Sequence, residues 1–117
     1  MSYIDGMLAA VPDANKSAYQ KASEQMGHLF RKYGAERMVE CWGDEVSEGE
    51  LTSMPMAVKC QPYETVVFSF IIWPSKEARN EAMPKVMAEA KSLEHNPMSL
   101  FDMQRLIHGG FIPIVDV

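Results

Sequence analysis

Apolar residues along the chain recur with two different periods, and the changes between them mark element boundaries. Residues 3–11, Tyr-Ile-Asp-Gly-Met-Leu-Ala-Ala-Val, form a stretch that predicts a strand stopped by Pro12. Asp13 or Asn15 can then cap the backbone amides of a new helix. Tyr19, Ala22, Met26, Leu29, Phe30 and Tyr33 follow at steps of three and four, which places them on one helical face. Gly34 supplies the stop, because glycine enters the left-handed conformation without a steric penalty. Residues 35–43 predict a second strand, 44–53 a polar loop and 56–60 a short extended piece. Residues 64–73, dense in Val, Ile, Phe and Trp, predict a third strand that ends at Pro74. Ser75 caps a second helix with Ala82, Met83, Val86, Met87 and Ala90 on one side. Pro84 inside it removes a backbone hydrogen bond at a cost of ~3 kcal/mol, which predicts a kink or a helix built from two pieces. Asn96-Pro97 ends that helix, and residues 105–117 predict a last strand, sent by Pro113 to an edge or bulge.

The resulting order, β-α-β-β-α-β, is that of an α+β, ferredoxin-like fold with one four-stranded antiparallel sheet and two helices on one face. The third strand adds a constraint. Val66, Phe68, Phe70 and Ile72 lie on one of its faces and Val67, Ser69, Ile71 and Trp73 on the other, so both are apolar. Helices cover one face, and leaving the other bare would expose a patch of the size that marks an interface. A homodimer joined sheet to sheet is expected, since an ordinary interface needs only ~800 Å² per partner.

Composition narrows the partners. At 117 residues and 47% hydrophobic content, residues 1–117 suit a single domain. With 11 Lys+Arg against 16 Asp+Glu the formal charge is −5, which argues against binding nucleic acid through its phosphates. The longest apolar run, Val66 to Trp73, is eight residues, against the ~20 needed to cross a membrane as a helix. Met1–Asp5 lacks the basic start of a signal peptide. A cytoplasmic protein without membrane contact is expected. Cys41 and Cys60 stand outside any zinc or thioredoxin-like motif and read as reduced, packed thiols. No metal or cofactor is expected. The ten methionines suit irregular core gaps, and equally an adaptable binding surface.

Several stretches resemble the YbaA-like family of small bacterial proteins from end to end. They are Tyr3-Ile4-Asp5-Gly6, Val39-Glu40-Cys41-Trp42-Gly43-Asp44, Ala57-Val58-Lys59, Glu64-Thr65-Val66-Val67-Phe68-Ser69, Trp73-Pro74-Ser75, Lys85-Val86-Met87, Phe101-Asp102-Met103-Gln104-Arg105 and Gly109-Gly110-Phe111. The family is a domain of unknown function, and the resemblance implies a dimeric α+β barrel in which two ferredoxin-like protomers face each other through their sheets. Phe70, His108 and the Met83-Pro84 pair depart from the family pattern. The resemblance carries no catalytic residue across.

Polar residues inside otherwise apolar strands must be hydrogen-bonded or at work, which singles out Asp5, Glu40, Ser69 and His108. Asp5 shares a face with Tyr3 and Met7, and His108 lies on the strand expected beside it. A carboxylate next to an imidazole is half of a general acid/base site. The structural alternative pairs Asp5 with Arg105 or has it cap a turn, and leaves His108 at the dimer seam. Edge charges that discourage strand pairing account for Glu40 or Arg37. Gly109-Gly110 suggests a bulge or a close backbone approach. Trp42 can pack at a strand end or wall a pocket, and His28 and His95 are expected on solvated helix surfaces. Two functions follow from these residues. One is a homodimeric structural or small-molecule-binding protein with a small apolar pocket. The other is a cofactor-independent oxygenase or isomerase acting on a small aromatic compound, with Asp5 or His108 moving a proton and Tyr33, Phe68 or Trp73 lining the cleft.

Overall fold

Two long strands, β1 (Tyr3–Pro12) and β3 (Glu64–Trp73), run side by side through the middle of a four-stranded sheet in the computed structural model, which covers all 117 residues. The shorter strands β2 (Arg37–Trp42) and β4 (Ile107–Phe111) flank them in the order β2-β3-β1-β4, every pair antiparallel. The β1–β3 register runs without interruption from Tyr3 opposite Trp73 to Pro12 opposite Glu64. Side chains alternate across a strand, so Asp5, Met7, Ser69, Ile71, Met38 and Glu40 share one face.

That face is covered by α1 (Lys16–Lys32) and α3 (Lys76–Ala90). The main core joins Tyr3 and Trp73 of the sheet to Met26, Leu29 and Phe30 of α1 and to Ala82, Val86 and Ala90 of α3. Phe30 meets the fully buried Trp73 edge to face, with ring centroids 6.1 Å apart. A satellite cluster of Val11, Tyr19 and Val67 sits under Phe101, whose ring lies 6.0 Å from that of Tyr19.

The local signals explain both the agreements and the departures. Gly34 has φ +116°, its N–H donates to Arg31, and Ala35 donates to Phe30. These two bonds close the Schellman turn that ends α1. At the other end, Asp13–Asn15 form a 3-10 turn and cap nothing. Asn15 donates to the Leu100 carbonyl at 2.8 Å, and Asp13 accepts from the Thr65 hydroxyl. Residues 56–60 are not extended. Ser53 accepts from Met56 N–H and Pro55 occupies the first turn, so α2 (Met54–Ala57) forms a short helix instead. Ser75 caps α3 through Ala78 N–H, and the helix runs unbroken through Pro84, ending at Ala90 rather than at Asn96. The last strand is five residues long instead of running from 105 to 117, because residues 103–105 turn into a 3-10 helix capped by Asp102. Its ladder with β1 is regular through Gly109 and Gly110, so no bulge is present. Gly110 instead permits a close approach, since a Cβ there would overlap the Tyr3 hydroxyl.

The opposite sheet face has only partial cover. Val58, just beyond α2 and fully buried, packs over Ala10 and Val66 at one end. The remainder lies bare, with Phe68 42% exposed, Ile107 42% and Phe111 61%. No helix is long and apolar enough to cross a membrane.

Candidate functional site: a carboxylate in an apolar cavity

β2 is an edge strand, yet its even-numbered residues turn inward beneath α1. Glu40 therefore lies opposite Ser69 of β3 in the ladder, and Tyr19, from the first turns of α1, reaches down to both. One carboxylate oxygen of Glu40, Oε2, accepts from the Tyr19 hydroxyl at 2.9 Å and from the Ser69 hydroxyl at 2.5 Å. Tyr19 is 3% exposed and Ser69 5%, while Glu40 between them is half-buried. Ser23, one helical turn beyond Tyr19, adds a buried hydroxyl with no hydrogen-bond partner.

The electrostatics follow from this burial. Desolvation raises the Glu40 pKa above the ordinary carboxyl value, against the opposing pull of the Ser69 and Tyr19 hydrogen bonds. Tyr19 is pushed well above its usual range by burial and then by the Glu40 charge, so it stays protonated as a donor. No cation pairs with Glu40.

Beside this cluster lies a cavity of about 90 Å³ between α1, the sheet and the loop after α3. Met7, Met26, Met38, Met98, Phe30 and Phe101 supply most of its wall, while Asp5, Glu40, Ser69 and Tyr19 supply its polar groups. A larger groove of about 510 Å³ between α1 and residues 94–100 is lined mainly by solvated polar side chains. The smaller cavity has the composition of a ligand site, with apolar walls and a few convergent polar groups.

Asp5 lines this cavity, but its carboxylate is committed. Arg79 of α3 donates from Nη2 to Oδ1 at 2.9 Å and from Nε to Oδ2 at 3.1 Å, and the Trp73 indole N–H donates to Oδ2 at 2.9 Å. Asp5 is the first cause of a raised Arg79 pKa. The proposed partner Arg105 is elsewhere. It grips Glu64 with two bonds of 2.6 and 2.8 Å and also holds Asp102. His108 is exposed on β4 opposite Met7, and no hydrogen bond joins it to Asp5, which lies opposite Gly110.

The three aromatic candidates lie outside the cavity wall. Tyr33 donates to Glu89 at 2.7 Å and ties α1 to α3. Phe68 sits on the bare sheet face against Phe70. Trp73 is buried in the core and acts on the cavity only through Asp5. Glu40 is not an edge guard, because it points under α1, whereas Arg37 is exposed on the outer face. His28 is exposed on α1, and His95 is exposed in the loop beyond α3. Cys41 is exposed and Cys60 half-buried, with burial pushing the Cys60 thiol up. No three His, Cys, Asp or Glu side chains lie close enough to share a metal ion.

Tyr19, Met98 and Phe101 complete the site without being singled out for it from the sequence. Tyr19 carries the one visible signal, a hydroxyl on an otherwise apolar helical face.

Residues 2–103 match the family model described as a protein of unknown function, DUF1428. The chain belongs to the DUF1428 family. It is 43% identical over 116 residues to the uncharacterized protein YbaA of Escherichia coli K12, covering 99% of both chains, and equally similar to YbaA of Shigella flexneri. Among solved structures it resembles SnoaB, a cofactor-independent oxygenase from Streptomyces nogalater. A point mutant of SnoaB superposes with a TM-score of 0.61 at 12% identity, over 99% of this chain and 96% of that one. A second SnoaB structure gives 0.57 at 9% identity, over 99% and 95%. At such identities the likeness speaks for the α+β fold alone, with its four-stranded antiparallel sheet and helices.

Proposed function

We propose that this DUF1428 protein is a cytoplasmic homodimer of ferredoxin-like protomers, each a single domain, that binds a small apolar or aromatic molecule in the cavity between α1 and the sheet. The observation that supports binding is the convergence of a half-buried carboxylate without a cation on a cavity otherwise walled by methionine and phenylalanine. A methionine wall adapts its shape to a ligand with little loss of packing. The dimer is supported by the bare sheet face, where Phe68, Ile107 and Phe111 form an apolar surface that a second copy would cover. Exposed Ile112, Ile114 and Val115 extend that surface past β4.

Thermal unfolding with small aromatic ligands tests the binding, together with native mass spectrometry to catch molecules retained through purification. A ligand at a hundred times its dissociation constant adds about 2.7 kcal/mol of stability. No shift across the series and no retained mass would overturn the reading. Sedimentation velocity at micromolar concentration tests the dimer, which a single monomeric boundary would refute.

A second reading, cofactor-independent oxygenase or isomerase chemistry on a small aromatic compound, is favoured by Glu40. A carboxylate of raised pKa in an apolar cavity is the kind of base that proton abstraction needs. The shared fold with SnoaB adds little, because one fold hosts many chemistries.

A further inference from the structure

Resting on the cavity reading above, we infer that the ligand is a neutral molecule of one ring at most, bearing a hydroxyl of phenol or enol type that donates to Glu40. Of the two carboxylates, Asp5 is saturated by Arg79 and Trp73. Glu40 uses only Oε2, which takes both the Tyr19 and Ser69 hydroxyls, while Oε1 accepts from no protein group. A carboxylate offers about four acceptor sites, so Glu40 keeps room on Oε1 for a further donor. Ser23 stands outside the cavity wall, its hydroxyl sealed from contact. The site thus presents one acceptor with room for a donor.

A ligand hydroxyl supplies that one donor. An ammonium brings three donors and no acceptor, which would strand donors against apolar walls. A ligand carboxylate would be repelled by Glu40. Size sets the remaining limit. The cavity, at about 90 Å³, is smaller than the ~150 Å³ engineered cavity that accommodates benzene. One ring fits only as the surrounding methionines give way.

Calorimetric titration of the intact protein at pH 7.5 with phenol, toluene and benzylamine tests the inference, with methyl NMR of Met26, Met38 and Met98 to locate the ligand. Phenol should bind at least about tenfold tighter than either of the others, the ratio expected for one hydrogen bond to a charged group. Glu40→Met should collapse the phenol-to-toluene ratio to about twofold while toluene still binds. If that variant fails to fold, Glu40→Gln should weaken phenol a few-fold and leave toluene unchanged. Equal binding of phenol and toluene would overturn the hydroxyl assignment and leave the cavity reading standing. Tightest binding by benzylamine would overturn it in favour of a cationic ligand. Binding that leaves the three methionine methyls unmoved would overturn it by location. No binding by any of the three would overturn the cavity reading itself.

Discussion

Replacing Arg79 tests whether Asp5 is withdrawn from chemistry, as its hydrogen bonds imply. The Asp5 side chain is 14% exposed and that of Arg79 28%, and the pair is joined by two donors from one guanidinium. Stranding one member of a fully buried ion pair costs about 3–5 kcal/mol. Here solvent reaches part of the pair and the Trp73 N–H stays in place, so Arg79→Met should cost less, about 2 kcal/mol. For a chain of this length that corresponds to a fall of roughly 8 °C in Tm. Asp5→Asn should cost less than Arg79→Met, because the guanidinium can turn to solvent while still resting on the Tyr3 ring, 5.5 Å away. The double variant should show a coupling of about 1–2 kcal/mol. Urea denaturation followed by circular dichroism on all four proteins gives the cycle, with an unchanged m-value as the check that the unfolding reaction is the same. A coupling near zero, or Arg79→Met within about 0.5 kcal/mol of the parent, would refute the claim and return Asp5 to the groups free to meet a ligand.

Three shorter predictions follow. Gly34→Ala should destabilise by about 1–2 kcal/mol purely through the backbone, since φ is +116° and nothing lies within 4 Å of the added methyl. Chemical denaturation showing no loss would contradict the turn. The folded-state pKa of Glu40 is raised above its ordinary 4.5 by desolvation, so its ionised form opposes folding above that raised value, and the penalty fades as pH falls towards 4.5. Glu40→Gln should therefore raise Tm at pH 8, with the gain shrinking on acidification, whereas a gain that grows at low pH would reverse the sign of the argument. Phe68→Lys should convert the proposed dimer to monomers in sedimentation velocity without changing the far-UV spectrum, because Phe68 is 42% exposed on the bare face. Dimers that persist would move the interface elsewhere.

Features set by one period, or by one residue with a single use, are legible in the sequence. The 3.6-residue period of Tyr19 to Tyr33 located α1, Gly34 ended it, and the crowding of β-branched and aromatic residues located β3. Features set by competing signals were not. Ser53 and Pro55 favour a helix start, and they override the extended reading of residues 56–60. Pro84 is accommodated within α3, where Ala82, Val86 and Ala90 pack into the core on either side of it. The site was half legible. Glu40 and Ser69 stood out as polar residues in apolar strands, but their pairing needs the β2–β3 register, which no local pattern reveals. Asp5 stood out too, while its true partner Arg79, 74 residues away, looked like one more charge on a helix surface.

That contrast decides which carboxylate can serve a ligand. Asp5 and Glu40 line the same cavity on the same sheet face, yet their surroundings push them to opposite roles. Asp5 is held by a guanidinium and an indole, so its charge is already spent inside the protein. Glu40 is held only by neutral hydroxyls and is desolvated without a compensating cation. Hydrogen-bond partners in this way commit Asp5 to structure and leave Glu40 for contact with a ligand. The cost of keeping Glu40 in place falls on the fold, and the proposed hydroxyl-bearing ligand would relieve part of it. Ligand stabilisation should accordingly be larger in the parent than in Glu40→Gln, whose amide requires less relief.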